Sequence, residues 1–139
     1  MKTYKWTRTV MFAHCDVHGT IFYPYLYSWF DQSTEELFRN NQLSYAELRE
    51  QFGVVGMPLV ETGARYLHAC RLGDVLEIST WVDEWARKTF LVKHRVSHAD
   101  GRVAVEGFER RVWAVPDESS PNGIRAIEIP QTAIGGLQD

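Results

Sequence analysis

An aspartate seven residues ahead of a Tyr-Pro step is the feature of this chain with the clearest chemical use. Asp16 sits in the polar, small-residue run Ala13-His14-Cys15-Asp16-Val17-His18-Gly19, and Tyr23-Pro24 follows. Proline is tolerated in a helix only in its first turn, where its missing N–H costs nothing, so a helix is expected from about Pro24 to about Asn40. Tyr23 then opens that first turn with a free N–H at the positive end of the helix dipole. Such a donor can take the negative charge that develops on a carbonyl oxygen under attack, and removing one typically costs about 2.7–4 kcal/mol of barrier. Two plainer roles compete with this chemistry: Asp16 as a loop cap, and Pro24 simply as a helix starter.

Asp31 lies eight residues after Tyr23, slightly more than two helical turns, so both can face one side. A carboxylate between Phe30 and Thr34, on an otherwise apolar stripe, is costly unless paired; the alternative is an exposed helix position. His14, Cys15, Asp16 and His18 invite a metal, but nothing downstream supplies a further ligand pair and zinc wants three or four placed ligands. No metal and no cofactor are expected. Cys15 is a weak candidate nucleophile, because neighbours in an extended segment point opposite ways. His68, His94 and His98 fall in strand-like segments and read as structural or exposed. Arg87-Lys88 reads either as an anion grip, since arginine forks suit phosphate oxygens, or as a solvated basic turn.

The elements that must position these residues follow from periodicity. Tyr4, Trp6, Val10 and Phe12 place one face of a strand from Tyr4 to Phe12 against a core. Leu26, Tyr27, Phe30, Thr34, Leu37 and Phe38 recur at helical spacing in the helix after Pro24. Ser44-Tyr45-Ala46-Glu47 is a capping box for a short second helix that Gly53 should end. Strands are expected at roughly Val60–Arg71, Val75–Trp85, Thr89–His98 and Arg102–Val115, with Asp100-Gly101 as a hairpin signal. Asp117–Gly123 reads as a surface loop, Ile124–Ile129 as a short strand, and the Gly135-Gly136 tail as frayed.

One strand, a long apolar helix and a run of antiparallel strands make an α+β layer, with the sheet curled around the helix. The helix covers only part of such a sheet, so the strand edges call for a second copy of the chain. The 139 residues fit one domain, 1–139, and 45% hydrophobic with 24% charged residues is an ordinary globular balance. Five Trp, six Tyr and seven Phe supply a core, and a net charge of −3 gives no reason to expect nucleic acid. No apolar run approaches the ~20 residues of a membrane helix. Two cysteines are too few for a disulfide framework, so a reducing cytoplasm is the expected setting.

The run Asp16-Val17-His18-Gly19-Thr20-Ile21-Phe22-Tyr23-Pro24, followed by Trp29-Phe30-Asp31, resembles the signature of the 4-hydroxybenzoyl-CoA thioesterase family. Gly53-Val54-Val55-Gly56-Met57-Pro58-Leu59-Val60, Glu84-Trp85-Ala86-Arg87-Lys88-Thr89-Phe90 and Arg125-Ala126-Ile127-Glu128-Ile129-Pro130 are similar to its Pseudomonas-type branch. The resemblance implies a hotdog fold, assembly into dimers or tetramers with shared active sites, and hydrolysis of an aromatic acyl-CoA to the free acid and CoA. It implies that Asp16 acts as nucleophile or general base and that the Tyr23 N–H binds the thioester carbonyl. It puts Phe22, His18, Asp31 and Met57 at the acyl pocket, with Asp31 accepting from a 4-hydroxyl, and Arg87, Lys88 and Arg125 on the CoA phosphates. Met57 stands where the branch carries a small polar residue, and Ala86 replaces a basic one. Met57 with the Phe22, Tyr23 and Tyr27 cluster leaves a short or medium aliphatic acyl group as the alternative substrate. A non-catalytic acyl-CoA-binding hotdog module is disfavoured because Asp16 is present and no room remains for a DNA-binding domain. A hydratase is disfavoured because His18 follows Asp16 by only two residues.

Overall fold

The long helix forms where proline fixes its start. In the computed structural model, which describes residues 1–138, α1 spans Tyr23–Arg39, with Phe22 as N-cap and Pro24 in the first turn. Asn40 closes it: its N–H and its side-chain amide both donate to the Glu36 carbonyl. The apolar stripe Leu26, Trp29, Phe30, Leu37 and Phe38 is fully buried. Burying each such side chain is worth about 1.5–3 kcal/mol, far more than the propensity differences along the helix. The capping box also forms: Glu47 N–H donates to Ser44 Oγ at 3.2 Å, and Ser44 N–H donates to the Glu47 carboxylate at 2.9 Å. It opens α2, Tyr45–Phe52, which ends at Gly53 in the left-handed conformation, φ +69°.

The strands are β1 (Thr3–Thr9), β2 (Leu59–Tyr66), β3 (Val75–Trp85), β4 (Thr89–His98) and β5 (Val103–Val112), in the order β1-β3-β4-β5-β2 and antiparallel throughout. Helix α1 lies across the inner face. Trp6 of β1 donates to Ser33, and Phe30 stacks on His94 of β4 while its ring fills the space over Gly107 of β5. A Cβ on Gly107 would stand 2.5 Å from that ring, so glycine there lets the helix approach the sheet. The sheet curled around one central helix is the hotdog arrangement. Its edges are β1 and β2.

Where segments end differs from expectation, because a ladder stops where its partner stops. The first strand ends at Thr9 because β3 begins at Val75; beyond Val10 the chain turns through Phe12–His14, and Phe12 is 83% exposed instead of facing the core. The segment expected to run to Arg71 leaves the sheet after Tyr66, where the Leu67 and His68 N–H groups both donate to the Ala104 carbonyl and the regular pairing with β5 ends. Its last residues pair with the chain just before α1 instead: Arg71 bridges Thr20, and Ile21 N–H donates to the Cys70 carbonyl. The last long strand divides at Trp113 where β4 runs out, and β6 (Ala114–Pro116) pairs with β7 (Ile124–Ala126). The tail is not frayed. Helix α3, Gln131–Gln138, buries Ala133 and Leu137 in the core cluster around Phe38 and Leu43. That burial outweighs two glycines costing about 1 kcal/mol each. Among the described residues no helix is long and apolar enough to cross a membrane.

Candidate active site

The segment before α1 is a tight hairpin. Cys15 faces Ile21, Asp16 N–H donates to the Thr20 carbonyl at 2.8 Å, and Gly19 takes the turn at φ +76°. Phe22 N–H then donates to the His14 carbonyl at 2.8 Å. The next N–H, that of Tyr23, has no acceptor among the described residues, and it is the first donor at the positive tip of α1. The hairpin therefore anchors Asp16 within a few residues of a free, dipole-assisted donor.

Asp16 is exposed in the single chain, and its carboxylate is held by its own loop. Oδ1 accepts from the His18 N–H at 2.9 Å and the Thr20 N–H at 3.3 Å, and Thr20 Oγ1 lies 3.1 Å from each carboxylate oxygen. The His18 N–H, against desolvation and with the Thr20 donors adding to it, keeps this carboxyl below its ordinary range. Asp16 is therefore ionised at neutral pH. Thr20 also lines a cleft of about 260 Å³ with Ile21, Leu26, Tyr66 and His68. The imidazole of His18 is exposed, and so is Phe22, whose ring stands edge-on to Tyr23 at 5.6 Å.

Tyr23, Tyr27 and Asp31 stand four residues apart and so form one row along α1. Tyr27 packs edge-on to Tyr23 at 6.2 Å. Tyr66, at the end of edge strand β2, lies beside this row; burial of its hydroxyl and then Tyr27 push its pKa up to about 12. At the other end of the row the Asp31 carboxylate takes a 2.7 Å hydrogen bond from Arg111 Nη2. Arg111 also donates to the Met57 carbonyl at 2.7 Å, which brings Met57 and Asp31 to the same place. Met57 and Arg111 line a cleft of about 340 Å³ with Tyr45, Val55, Pro58 and Ile124. Burial raises the Tyr45 pKa, with Arg111 opposing and Asp31 adding to the rise, so its hydroxyl shares this environment.

Arg111 belongs to a buried polar network that sequence reasoning missed. Glu109, 3% exposed, accepts from Arg111 Nε at 3.1 Å and Nη2 at 3.2 Å, and from the Thr34 hydroxyl. His94 Nδ1 pairs with Thr80 Oγ1 at 2.7 Å, while its Nε2 lies 3.4 Å from Glu109 without hydrogen-bond geometry. Burial pushes the Glu109 carboxyl up, but His94 and then Arg111 pull it down further, to about 2. The available signal was parity. Glu109 and Arg111 share the inward face of β5 with Val105 and Gly107, and opposite charges two residues apart on a core face have to be paired.

Arg87 and Lys88 are exposed in the turn between β3 and β4. Ile129 N–H donates to the Arg87 carbonyl and Trp113 N–H to the Lys88 carbonyl, which ties the turn to the strand pair carrying Arg125. The three cations thus share one end of the molecule; Arg125 also lies 3.6 Å from Asp117. Asp16 is at the opposite end, joined to residues 70–72 just before β3 begins. The eleven residues of β3 separate the two ends by roughly 33 Å at about 3.3 Å per residue. The remaining candidates are engaged locally. His14 Nδ1 accepts from the Met11 N–H and its ring packs on Tyr25 and Trp29, while the Cys15 thiol donates to the Met11 carbonyl. Among the described residues no group of three or more His, Cys, Asp or Glu side chains is placed to hold a metal.

Comparison with known proteins agrees with this fold. A 4-hydroxybenzoyl-CoA thioesterase from Pseudomonas sp. (strain CBS-3) is 31% identical over 126 residues, covering 87% of each chain. The solved structure of that Pseudomonas enzyme superposes with a TM-score of 0.86 at 29% identity, over 98% of this chain and 99% of its own. An aspartate-to-asparagine mutant of 4-hydroxybenzoyl-CoA thioesterase in complex with 4-hydroxybenzoyl-CoA gives 0.87 at 28% identity, over 99% of this chain and 100% of that one. A gentisyl-coenzyme A thioesterase gives 0.77 at 25% identity, over 98% and 100%. Residues 10–132 match the thioesterase-like superfamily as a whole, and the chain belongs to that family.

Proposed function

We propose that this protein hydrolyses an aromatic acyl-CoA carrying a para-hydroxyl, of the 4-hydroxybenzoyl-CoA kind, to the free acid and CoA. The observation that carries the reading is the row on α1: a free N–H at Tyr23, two tyrosine rings, and a carboxylate at Asp31. Eight residues at about 1.5 Å each separate the two polar ends by roughly 12 Å. A benzoyl group with a carbonyl at one end and a hydroxyl at the other, with a hydrogen bond of about 3 Å at each end, fits that span. Apolar and aromatic walls with a few convergent polar groups are what a cofactor-free small-molecule site needs. Similarity to thioesterases acting on hydroxybenzoyl and gentisyl esters supports the same substrate class here.

In this mechanism the carbonyl oxygen takes the Tyr23 N–H, and the helix tip stabilises the oxyanion as it forms. Asp16 attacks the carbonyl carbon, the C–S bond breaks, and CoA leaves as a thiolate that takes a proton from solvent. Water then opens the mixed anhydride, releasing the acid and restoring the carboxylate. A carboxyl held below its ordinary range is ionised at neutral pH, the state that attack on the carbonyl requires. The relative captured with its substrate in an aspartate-to-asparagine mutant supports giving turnover to a carboxylate.

Two further parts belong to the proposal. The chain assembles with copies of itself through β2, whose Leu59, Val60 and Tyr66 are 49%, 60% and 54% exposed along an unpaired edge. That contact would close the groove beside α1, and a dimer of such dimers makes a tetramer. The Arg87, Lys88 and Arg125 patch grips CoA phosphates for a neighbouring chain's site, because it lies beyond the reach of the pantetheine arm of an ester at its own Asp16. A thiol-release assay over benzoyl, 4-hydroxybenzoyl, phenylacetyl and aliphatic CoA esters tests the reading. The 4-hydroxybenzoyl ester should give the highest kcat/KM; a faster aliphatic ester would overturn the aromatic assignment.

A further inference from the structure

We propose that Arg111 is a positioning residue for ring recognition: it fixes the Asp31 carboxylate and so restricts the para substituent to hydrogen-bond donors. This deepens, and rests on, the assignment of Asp31 to the ring hydroxyl. The Asp31 side chain is 71% exposed, and a carboxylate so open on a helix would ordinarily sample several rotamers. Arg111, only 6% exposed at its side chain, removes that freedom by holding Oδ1 at 2.7 Å. The guanidinium is itself immobilised. Its Nη1 donates to the Met57 carbonyl at 2.7 Å, and Nε and Nη2 donate to the two oxygens of Glu109 at 3.1 and 3.2 Å. A planar fork held on three sides has one orientation, and it passes that orientation to Asp31. The same contact ties the Met57 backbone, in the wall of the adjoining cleft, to the carboxylate.

Charge then decides what the fixed carboxylate accepts. Asp31 and Glu109 against Arg111 leave the trio at −1, and Oδ2 of Asp31 takes no protein hydrogen bond among the described residues. An ionised carboxylate is acceptor-only, so a para-hydroxyl or para-amino group satisfies it. A para-methoxy group offers nothing, and a para-carboxylate is repelled.

The test is the ratio of kcat/KM for 4-hydroxybenzoyl-CoA over benzoyl-CoA, two substrates that differ by one hydroxyl. A merely structural defect lowers both alike and leaves the ratio unmoved. Asp31→Asn comes first: an unchanged ratio there removes the hydroxyl assignment itself, and this proposal with it. With that ratio collapsed, Arg111→Met should lower it by about 10- to 100-fold, the value of one charge-assisted hydrogen bond, and an unchanged ratio overturns the role of Arg111 alone. Adding Arg111→Met to Asp31→Asn should change the ratio no further; a second fall of equal size means Arg111 does not act through Asp31. If Arg111→Met does not fold, Arg111→Lys carries the test. Lysine keeps the charge but is a point donor on a flexible stem, so the ratio should fall at least about threefold, and a wild-type ratio overturns the proposal. In the wild-type protein 4-aminobenzoyl-CoA should outpace the 4-methoxy and 4-carboxy esters; preference for the 4-carboxy ester overturns the charge argument.

Discussion

Replacing Glu109 with alanine should be among the most destabilising single changes in the chain. The carboxylate accepts two hydrogen bonds from Arg111 and one from the Thr34 hydroxyl, at a site where both charged side chains are nearly sealed from water. Its loss leaves a buried guanidinium with the Met57 carbonyl and an exposed Asp31 as its remaining partners. Breaking one side of a buried ion pair costs about 3–5 kcal/mol, because the survivor's desolvation is no longer offset. At about 4 °C per kcal/mol for a chain of this size, Tm should fall by roughly 12–20 °C, measured by calorimetry at matched protomer concentration. Glu109→Met combined with Arg111→Met should be less destabilising than Glu109→Ala, since removing both charges removes the desolvation as well. A pH arm checks the sign. The Glu109 pKa is depressed from 4.5 to about 2, so its contribution, about 3 kcal/mol, is complete above pH 4.5 and lost as pH falls from 4.5 towards 2. Glu109→Gln should flatten that part of the stability profile. A Tm loss under about 4 °C for Glu109→Ala, or a double variant worse than it, would refute the account of a paired buried charge.

Three further outcomes probe the chemistry. Asp16→Asn should lower kcat by at least about 100-fold while the ester still binds, read by single-turnover kinetics and direct titration; near-normal kcat would remove Asp16 from the reaction. Because Asp16 works ionised and the His18 and Thr20 donors hold its carboxyl below the ordinary carboxylate range, kcat/KM should decline only at strongly acid pH, so an acid limb centred above about pH 5 would contradict the assignment. Arg87→Ala should raise KM for CoA esters about fivefold with a smaller change in kcat, and the difference should shrink in high salt; an unchanged KM takes Arg87 out of the CoA site.

Most of the fold could be read from the sequence, because its signals are local. Pro24 marks the start of α1, Ser44 with Glu47 opens α2, and alternation finds β3 and β4 to the residue. What could not be read depends on partners. Thr9 and Val112 end their strands because β3 and β4 run out, Tyr66 ends its own where pairing with β5 turns irregular at Ala104, and no residue at those positions announces it. The tail misleads for a related reason: Gly135 and Gly136 argue against a helix, while the burial of Ala133 and Leu137 that stabilises it depends on a core built more than eighty residues earlier.

The candidate site divides along the same line. Asp16 and the Tyr23 N–H are seven residues apart and joined by one hairpin, so composition and order reveal both. Asp31 was visible, but what orients it was not. Arg111 is eighty residues away, and only the inward parity it shares with Glu109 on β5 hints that two charges are buried there. The basic residues show the opposite failure. Arg87 and Lys88 stand out as a basic turn, an anion grip or a solvated pair, with Arg125 joined to them by the family resemblance, yet nothing local tells that a whole strand's length separates them from Asp16. That separation has a consequence for assembly. If these cations hold the nucleotide end of an ester whose carbonyl rests on the tip of α1, the two ends must come from different copies of the chain. Catalysis would then depend on protomer concentration even where the isolated fold is stable, and mixing Arg87→Ala with Asp16→Asn would give sites that turn over with the wild-type KM, which neither homogeneous variant does.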